Sequence, residues 1–331
     1  MRFAFDDHQI AVRDTVGALL DKRCDTGLLE QCWRSGGAGP AMPVWKELAS
    51  LGVQGLLAPE QSGGSGLDGL TMGLVLAECG RYALPLPVVE TAAVAVPLLA
   101  SAGGDSGVLG SLLDGSGAVT FATGRSRHAP ASSTASHFLI ASDADATLYA
   151  RDEVEIEPVQ SVDRIRDLAE ITPRGRGVPV APASAARELA ALGSAAVLLG
   201  LGRALVDTTV AYVKDRKQFG VPVGSFQAVK HHLADAHLRM EFAAPVVWAA
   251  SHAAYPGGPG GTERVRLISM AKAVASDAAS LAARVALQCH GAMGYTDDYP
   301  LHMWLKRVWC LAAAHGSAAE HRSLVATELG I

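Results

Sequence analysis

Two stretches of this sequence carry side chains suited to gripping an anionic ligand. In residues 212–235, YVKDRKQFGVPVGSFQAVKHHLAD, a helical pattern ends in Lys214, Asp215, Arg216 and Lys217. It then turns at Phe219-Gly220 and Pro222 and resumes as a helix after Ser225. A guanidinium at a helix end offers forked donors that match a pyrophosphate. Gly220 lets backbone come close to a ligand. The same residues also read as an ordinary helix stop with a solvated charge run. The second stretch is Gln288-Cys289-His290-Gly291-Ala292-Met293-Gly294-Tyr295, with Tyr299-Pro300 just beyond. No strand precedes it, so it is not a Rossmann-type fingerprint, and by itself it reads as a glycine cap and tight turn. His231 and Asp235 share a helix face at i, i+4 beside His232 and His237, but no third ligand of convincing spacing follows. That cluster reads as helix surface, and no metal site is expected.

The elements that position these stretches follow from composition and periodicity. The 331 residues suffice for more than one core. A formal net charge of −5 gives no reason to expect nucleic acid or an anionic membrane. Apolar residues make up 49% but aromatics only 5%, so Ala, Leu and Val carry the hydrophobicity and closely packed helices are favoured. Five scattered cysteines without a Cys-x-x-Cys pair read as free thiols in a reducing compartment. The opening MRFAFDDHQ lacks the features of a signal peptide. The longest apolar run, residues 189–202, is shorter than the roughly 18 to 20 residues needed to span a bilayer. A soluble, cytoplasmic protein is the expectation.

In chain order, Asp6 and Gln9 form a capping box for a first helix with Val12, Val16, Leu19 and Leu20 on one face. A glycine-rich break at 36–40 precedes a helix at about 43–51. The Gly-dense loop 52–69 reads as a turn, residues 70–79 as a helix capped by Gly80, and 88–102 as a further apolar helix. From about Gly115 the texture becomes β-rich, with strands expected at 118–123, 137–142, 147–150, 154–157 and 168–172 and turn-rich boundaries near 115 and 175–182. Helical segments at about 184–217, 225–254, 262–290 and 301–329 complete the chain, with a loop at 256–261. The fold class expected is α+β, mainly α: a helical domain (1–114), a small β domain (115–181) and a four-helix bundle (182–331).

Arg216-x-x-Phe219-Gly220 with Phe226-Gln227, taken with Gln288-x-x-Gly291-x-x-Gly294-Tyr295 and Tyr299-Pro300, resembles the acyl-CoA dehydrogenase family. The loop 52–69 followed by Glu78-Cys79-Gly80-Arg81 is similar to that family's N-terminal helical domain, and the resemblance covers most of the chain. It implies FAD as cofactor, an acyl-CoA substrate, and an electron-transfer flavoprotein-like acceptor. It also implies that Arg216, Phe219, Gln227, Gln288 and Gly291 contact the FAD of a neighbouring subunit, with Gly294 shaping the loop.

The sequence departs from the family where the chemistry is done. The usual glutamate base, seventeen positions along when the Tyr of Tyr-Pro counts as one, falls at His315, followed by Gly316-Ser317. The alternative family position, twenty-six residues before the motif Arg, falls at Ala190, with Glu188 two residues earlier, and the family's adenosine-contacting Arg falls at Ala191. The flavin-holding Thr-Glu-Pro and Trp-x-Thr-Asn-Gly segments are missing: TFATGRSRHAP occupies 120–130, and the β region contains no Trp. This pattern resembles the shorter, degenerate subunit of α2β2 acyl-CoA dehydrogenases, associated with steroid side chains degraded as CoA thioesters.

Three readings follow. The chain completes a partner's FAD site in a heterotetramer; or it is a self-sufficient homodimer or homotetramer with His315 as base; or it is a non-catalytic relative that binds acyl-CoA or a partner protein. Imidazole, with an ordinary pKa of about 6.5, is a modest base for an α-carbon.

Overall fold

The structure is a computed structural model that describes residues 4–124, 127–255 and 261–331. Most of the 256–261 loop and two residues of the 120–130 segment therefore lie outside the described residues. The chain divides into two compact units, one running to Val75 and again over Leu84–Gly193, the other made of Leu76–Ala83 and Ser194–Ile331.

The first unit begins with α1 (Asp7–Arg23), α2 (Thr26–Ser35) and α3 (Met42–Ser50). The capping box forms as its residues dictate: the Gln9 amide donates to Asp6 Oδ1 at 2.7 Å, and the Asp6 amide donates to Gln9 Oε1 at 3.0 Å. α2 was not expected between the first helix and the glycine break; Asp25 caps it by accepting from the Leu28 amide, and Gly36 ends it in the left-handed region. Helix α4 (Gly69–Arg81) runs from this unit into the second. Beyond it, a π-helical stretch, Val89–Ala95, leads into α5 (Val96–Ser101), and α6 (Ser106–Leu113) follows.

The strands are β1 (Val119–Thr123), β2 (His128–Ala129), β3 (His137–Ala141), β4 (Asp145–Ala150), β5 (Val154–Pro158), β6 (Ala169–Pro173) and β7 (Val178–Pro182). They form a four-stranded sheet, β1-β3-β4-β7, and a three-stranded sheet, β2-β6-β5. Only β1 and β3 pair in parallel among these. The stretch 175–182, read from sequence as a turn-rich boundary, contains β7. Its prolines are tolerated because β7 is an edge strand, where a missing N–H disrupts no ladder on the open side. Phe138, Ile140, Ala129, Ala169 and Ile171 form a buried cluster with Tyr149 and Ile156 packed against it. Buried Trp45 donates its indole N–H to the Gly117 carbonyl at 3.2 Å, which ties α3 to the segment entering β1.

The second unit is helical: the later part of α7 (Ala183–Asp215), α8 (Gln227–Ala253), α9 (Gly261–His290), α10 (Leu301–Ala313) and α11 (Ala318–Leu329). The two-residue strands β8 (Lys217–Gln218) and β9 (Val221–Pro222) make a hairpin between α7 and α8. Small residues let the helices approach closely: α9 buries Ala271, Ala275, Ala278, Ala279, Ala282 and Ala286.

Three expectations change here. Gly80 does not cap its helix but lies inside α4, where an added Cβ would meet the Val197 carbonyl oxygen at 2.1 Å. On α7, Gly200 answers it, with a Cβ position 1.8 Å from the Ala77 oxygen. The glycines permit backbone contact between two helices. The last helical segment is broken at 314–317 into α10 and α11. Finally, α7 spans 33 residues with an 18-residue window of mean hydropathy 1.9, enough by length and composition to cross a membrane; 89% of that window is buried, which makes it a core helix.

Candidate functional site

Arg216 follows the last residue of α7, and its amide still donates to the Tyr212 carbonyl at 2.9 Å. The β8–β9 hairpin then folds back, so that the Val223 amide donates to the Arg216 carbonyl at 2.7 Å. This fixes the backbone of Arg216 while leaving its side chain exposed and in no ion pair among the described residues. Phe219, at the hairpin tip with φ 54°, is 92% exposed. Its ring meets Phe226 edge-on at 6.2 Å, just before Gln227 opens α8. A benzyl group held out in water on a left-handed residue is costly unless something covers it.

The second motif ends α9. His290 is buried, stacks on Tyr212 at 4.0 Å between ring centroids, and lies 5.2 Å from Tyr299; Tyr212 and Tyr299 meet edge-on at 5.9 Å. These three rings bring the Arg216 end of α7 and the Gln288–Tyr299 segment together. Arg216, Asp215, Tyr212, Thr208, Ala211 and Tyr299 line an open concavity of about 430 Å³. His290 Nδ1 donates to the Ala286 carbonyl at 2.8 Å, and Nε2 has no partner among the described residues. Burial lowers the His290 pKa, offset in part by that hydrogen bond, so the ring is neutral at neutral pH. Burial raises the Tyr299 pKa, with Tyr212 adding to it.

Gln227 and Gln288 are exposed. Gly291 has φ 57° and open space where a Cβ would stand, whereas Gly294 is buried with a Cβ position 3.0 Å from Leu287. The two glycines differ in kind: one needs a left-handed turn on an open face, the other a close approach within the loop. An exposed guanidinium on an anchored backbone, exposed amides, an uncovered aromatic ring and an open glycine turn are groups suited to the pyrophosphate and adenine portions of a dinucleotide presented from outside the chain.

His315 is not part of this group. It sits in the 314–317 turn, which Lys272 of α9 contacts eighteen residues before His290, roughly 27 Å away at about 1.5 Å per residue. Ala190 and Ala191 are buried in α7 and present no polar group. Among the described residues no three His, Cys, Asp or Glu side chains gather as metal ligands would. Sequence reading passed over Tyr212, and His290 as a stacking ring. It also passed over Lys272, although a lone lysine on the Ile268, Ala275 and Ala279 face of α9 is a visible anomaly.

Comparison with known proteins gives the family. Residues 6–106 match the acyl-CoA dehydrogenase N-terminal domain and residues 175–330 the acyl-CoA dehydrogenase C-terminal domain. The chain is 30% identical over 308 residues to the acyl-CoA dehydrogenase IpdE2 of Mycobacterium tuberculosis, covering 93% of this chain and 91% of that protein. Among solved structures, a chain of the ChsE4-ChsE5 complex from Mycobacterium tuberculosis superposes with a TM-score of 0.87 at 21% identity, covering 100% of this chain and 99% of that one. A glutaryl-CoA dehydrogenase from Mycobacterium smegmatis in complex with FADH2 gives 0.83 at 17% identity, covering 98% and 95%. With both family domains present and a relative aligned along nearly its full length, this chain belongs to the acyl-CoA dehydrogenase family.

Proposed function

We propose that this chain serves flavin-dependent α,β-dehydrogenation of an acyl-CoA thioester as the subunit that completes an FAD site on a homologous partner. The reading is supported by the Tyr212–His290–Tyr299 rings, which join the Arg216 end of α7 to the Gln288–Tyr299 segment, and by the exposure of Arg216, Phe219, Gln227 and Gln288, in a chain with no carboxylate at either family base position. Arg216 would hold the pyrophosphate through its forked N–H groups, and the exposed Phe219 ring would be covered by the partner. Bound FAD would supply the acceptor for the substrate's β-hydride, and the partner the carboxylate that takes the α-proton. The ChsE4-ChsE5 neighbour is a complex of two differently named chains, which supports a heteromeric assembly. We further propose a steroid-type or fatty acyl-CoA substrate, an electron-transfer flavoprotein-like acceptor and a cytoplasmic location. The domain division 1–114, 115–181 and 182–331 belongs to the same reading.

A second reading assigns proton abstraction to His315 in a self-sufficient homo-oligomer. It is favoured by one observation: His315 has φ 57° in a turn at the family's carboxylate position. FAD stoichiometry and solution mass, for the chain alone and after adding a homologous full-length subunit, separate the two. Flavin only in the mixed complex, at about one per pair of chains, supports the divided site. One flavin per chain in a homo-oligomer transfers the chemistry to His315. No flavin in either preparation, with tight acyl-CoA binding, leaves a non-catalytic binding protein.

A further inference from the structure

The turn between α10 and α11 is held far more firmly than a linker of four residues requires. His315 and Gly316 take φ of 57° and 97° in succession. The first is a non-glycine residue in the left-handed region, a conformation that persists only where its surroundings impose it. Three elements do so. Lys272 of α9, 0% exposed, directs its ammonium at the carbonyls of Leu311 (3.1 Å), Ala312 (3.1 Å) and Gly316 (2.9 Å), and at Ser276 Oγ (3.1 Å). The α10 carbonyls are among those a helix C-terminus leaves unpaired, and a cation there also meets the negative end of the helix dipole. From α11, buried His321 donates Nε2–H to the His315 carbonyl at 2.9 Å. Ser317 and Glu320 close a capping box at the start of α11. The fit leaves no slack: a Cβ on Gly316 would stand 2.6 Å from His321 Nε2.

We infer that Lys272, assisted by His321, is a positioning residue: it locks the His315–Gly316 turn, which stands at the family's base position. The inference rests on the second reading above, with His315 as base, for the turn's catalytic relevance, and on geometry alone for the lock. An ammonium has three N–H donors, shared here among three carbonyls and Ser276 Oγ. An unbranched side chain without donors leaves the three carbonyls unpaired, and the turn relaxes toward a right-handed backbone that removes His315 from its place.

The test is amide hydrogen exchange on the full chain carrying Lys272→Met, with Gly316→Ala as a second variant that displaces His321 without touching the α9 core. Exchange in peptides covering 310–318 should accelerate ~10-fold or more in both, while α8 stays at the wild-type rate. In a flavin-bearing homo-oligomer, Lys272→Met should lower kcat by about ten-fold with KM nearly unmoved, since misplacing His315 costs turnover rather than binding. Wild-type exchange at 310–318 in both variants would overturn the lock. A loosened turn with wild-type kcat would overturn the positioning role. If Lys272→Met exchanges rapidly throughout, the Gly316→Ala result decides. Failure to form any flavin-bearing complex would count against the function proposed above, while the exchange result would still decide the lock.

Discussion

The two regions touched by α9 treat polar groups in opposite ways. At its C-terminal end, His290 is packed between tyrosines while Arg216, Gln227, Gln288 and Phe219 are left open to solvent. Eleven residues into the same helix, Lys272 is fully buried and every donor it has is matched by protein oxygen. An open cluster of donors is what a surface needs to take a ligand it does not enclose. An internally satisfied cation binds nothing and instead sets the shape of what surrounds it. Side chains that contact a ligand and side chains that hold a turn are thus distinguishable by where their hydrogen bonds go.

This contrast can be broken or sharpened by experiment. The largest effect should come from Lys272 and pH. Burial pulls its pKa down to about 8, against an ordinary 10.5, with Glu320 of α11 opposing that shift. His321 is the neighbouring titratable ring; burial lowers its pKa first of all, and Lys272 lowers it further. Between pH 8 and 10.5 the unfolded chain binds the proton that the folded chain has released. Lys272 therefore makes stability rise with pH through that window, and its contribution is flat below it. At ~1.4 kcal/mol per pH unit the full span is about 3 kcal/mol. Denaturant titrations across this range should show the rise in wild type and lose it in Lys272→Met; an identical profile in both would mean the ammonium is not desolvated as its burial implies.

Next in size is Arg216→Ala: on the proposed function it would remove a charge-assisted contact of about 1.5–3 kcal/mol and should weaken FAD retention in the mixed complex ten-fold or more. Flavin absorbance after gel filtration reads this directly; full retention would detach Arg216 from the cofactor. His290→Ala should cost about 1–2 kcal/mol of stability by opening a cavity between Tyr212 and Tyr299. The same change should weaken flavin retention although His290 is itself buried, because the two motif segments are no longer stapled. Thermal unfolding beside flavin content would separate the two effects. The smallest effect should be that of His315→Ala on flavin content: none is expected, because the turn and the motif end of α9 are well apart. Flavin loss in that variant would merge the two regions that the structure keeps separate.

Local signals were legible where the chemistry was local. The Asp6–Gln9 capping box, the α7 helix ending near Arg216, and the strands around Phe121 and Phe138 all follow from residues within a few positions of one another. The break at 314–317 had a local signal too, since Ser317 and Glu320 form a capping box, but the apolar pattern from Leu301 onward masked it. Gly80 was misread because the same residue serves a helix cap or a helix crossing, and only Val197 across the way tells which. Strand β7 escaped because its prolines argue against a strand until its edge position is known.

The sequence by itself determined the family, the order of helical and β-rich segments, and the residue types that a flavin-contacting surface would use, because motif spacing and periodicity are properties of neighbouring residues. Tertiary structure alone decided that Tyr212, His290 and Tyr299 staple the two motifs together, that Arg216 makes no ion pair among the described residues while Lys272 is saturated, and that His315 stands on a turn hydrogen-bonded by Lys272 and His321. Those facts depend on which groups meet across helices far apart in the chain, and on the low-dielectric packing that makes a buried lysine find its carbonyls or not be buried at all.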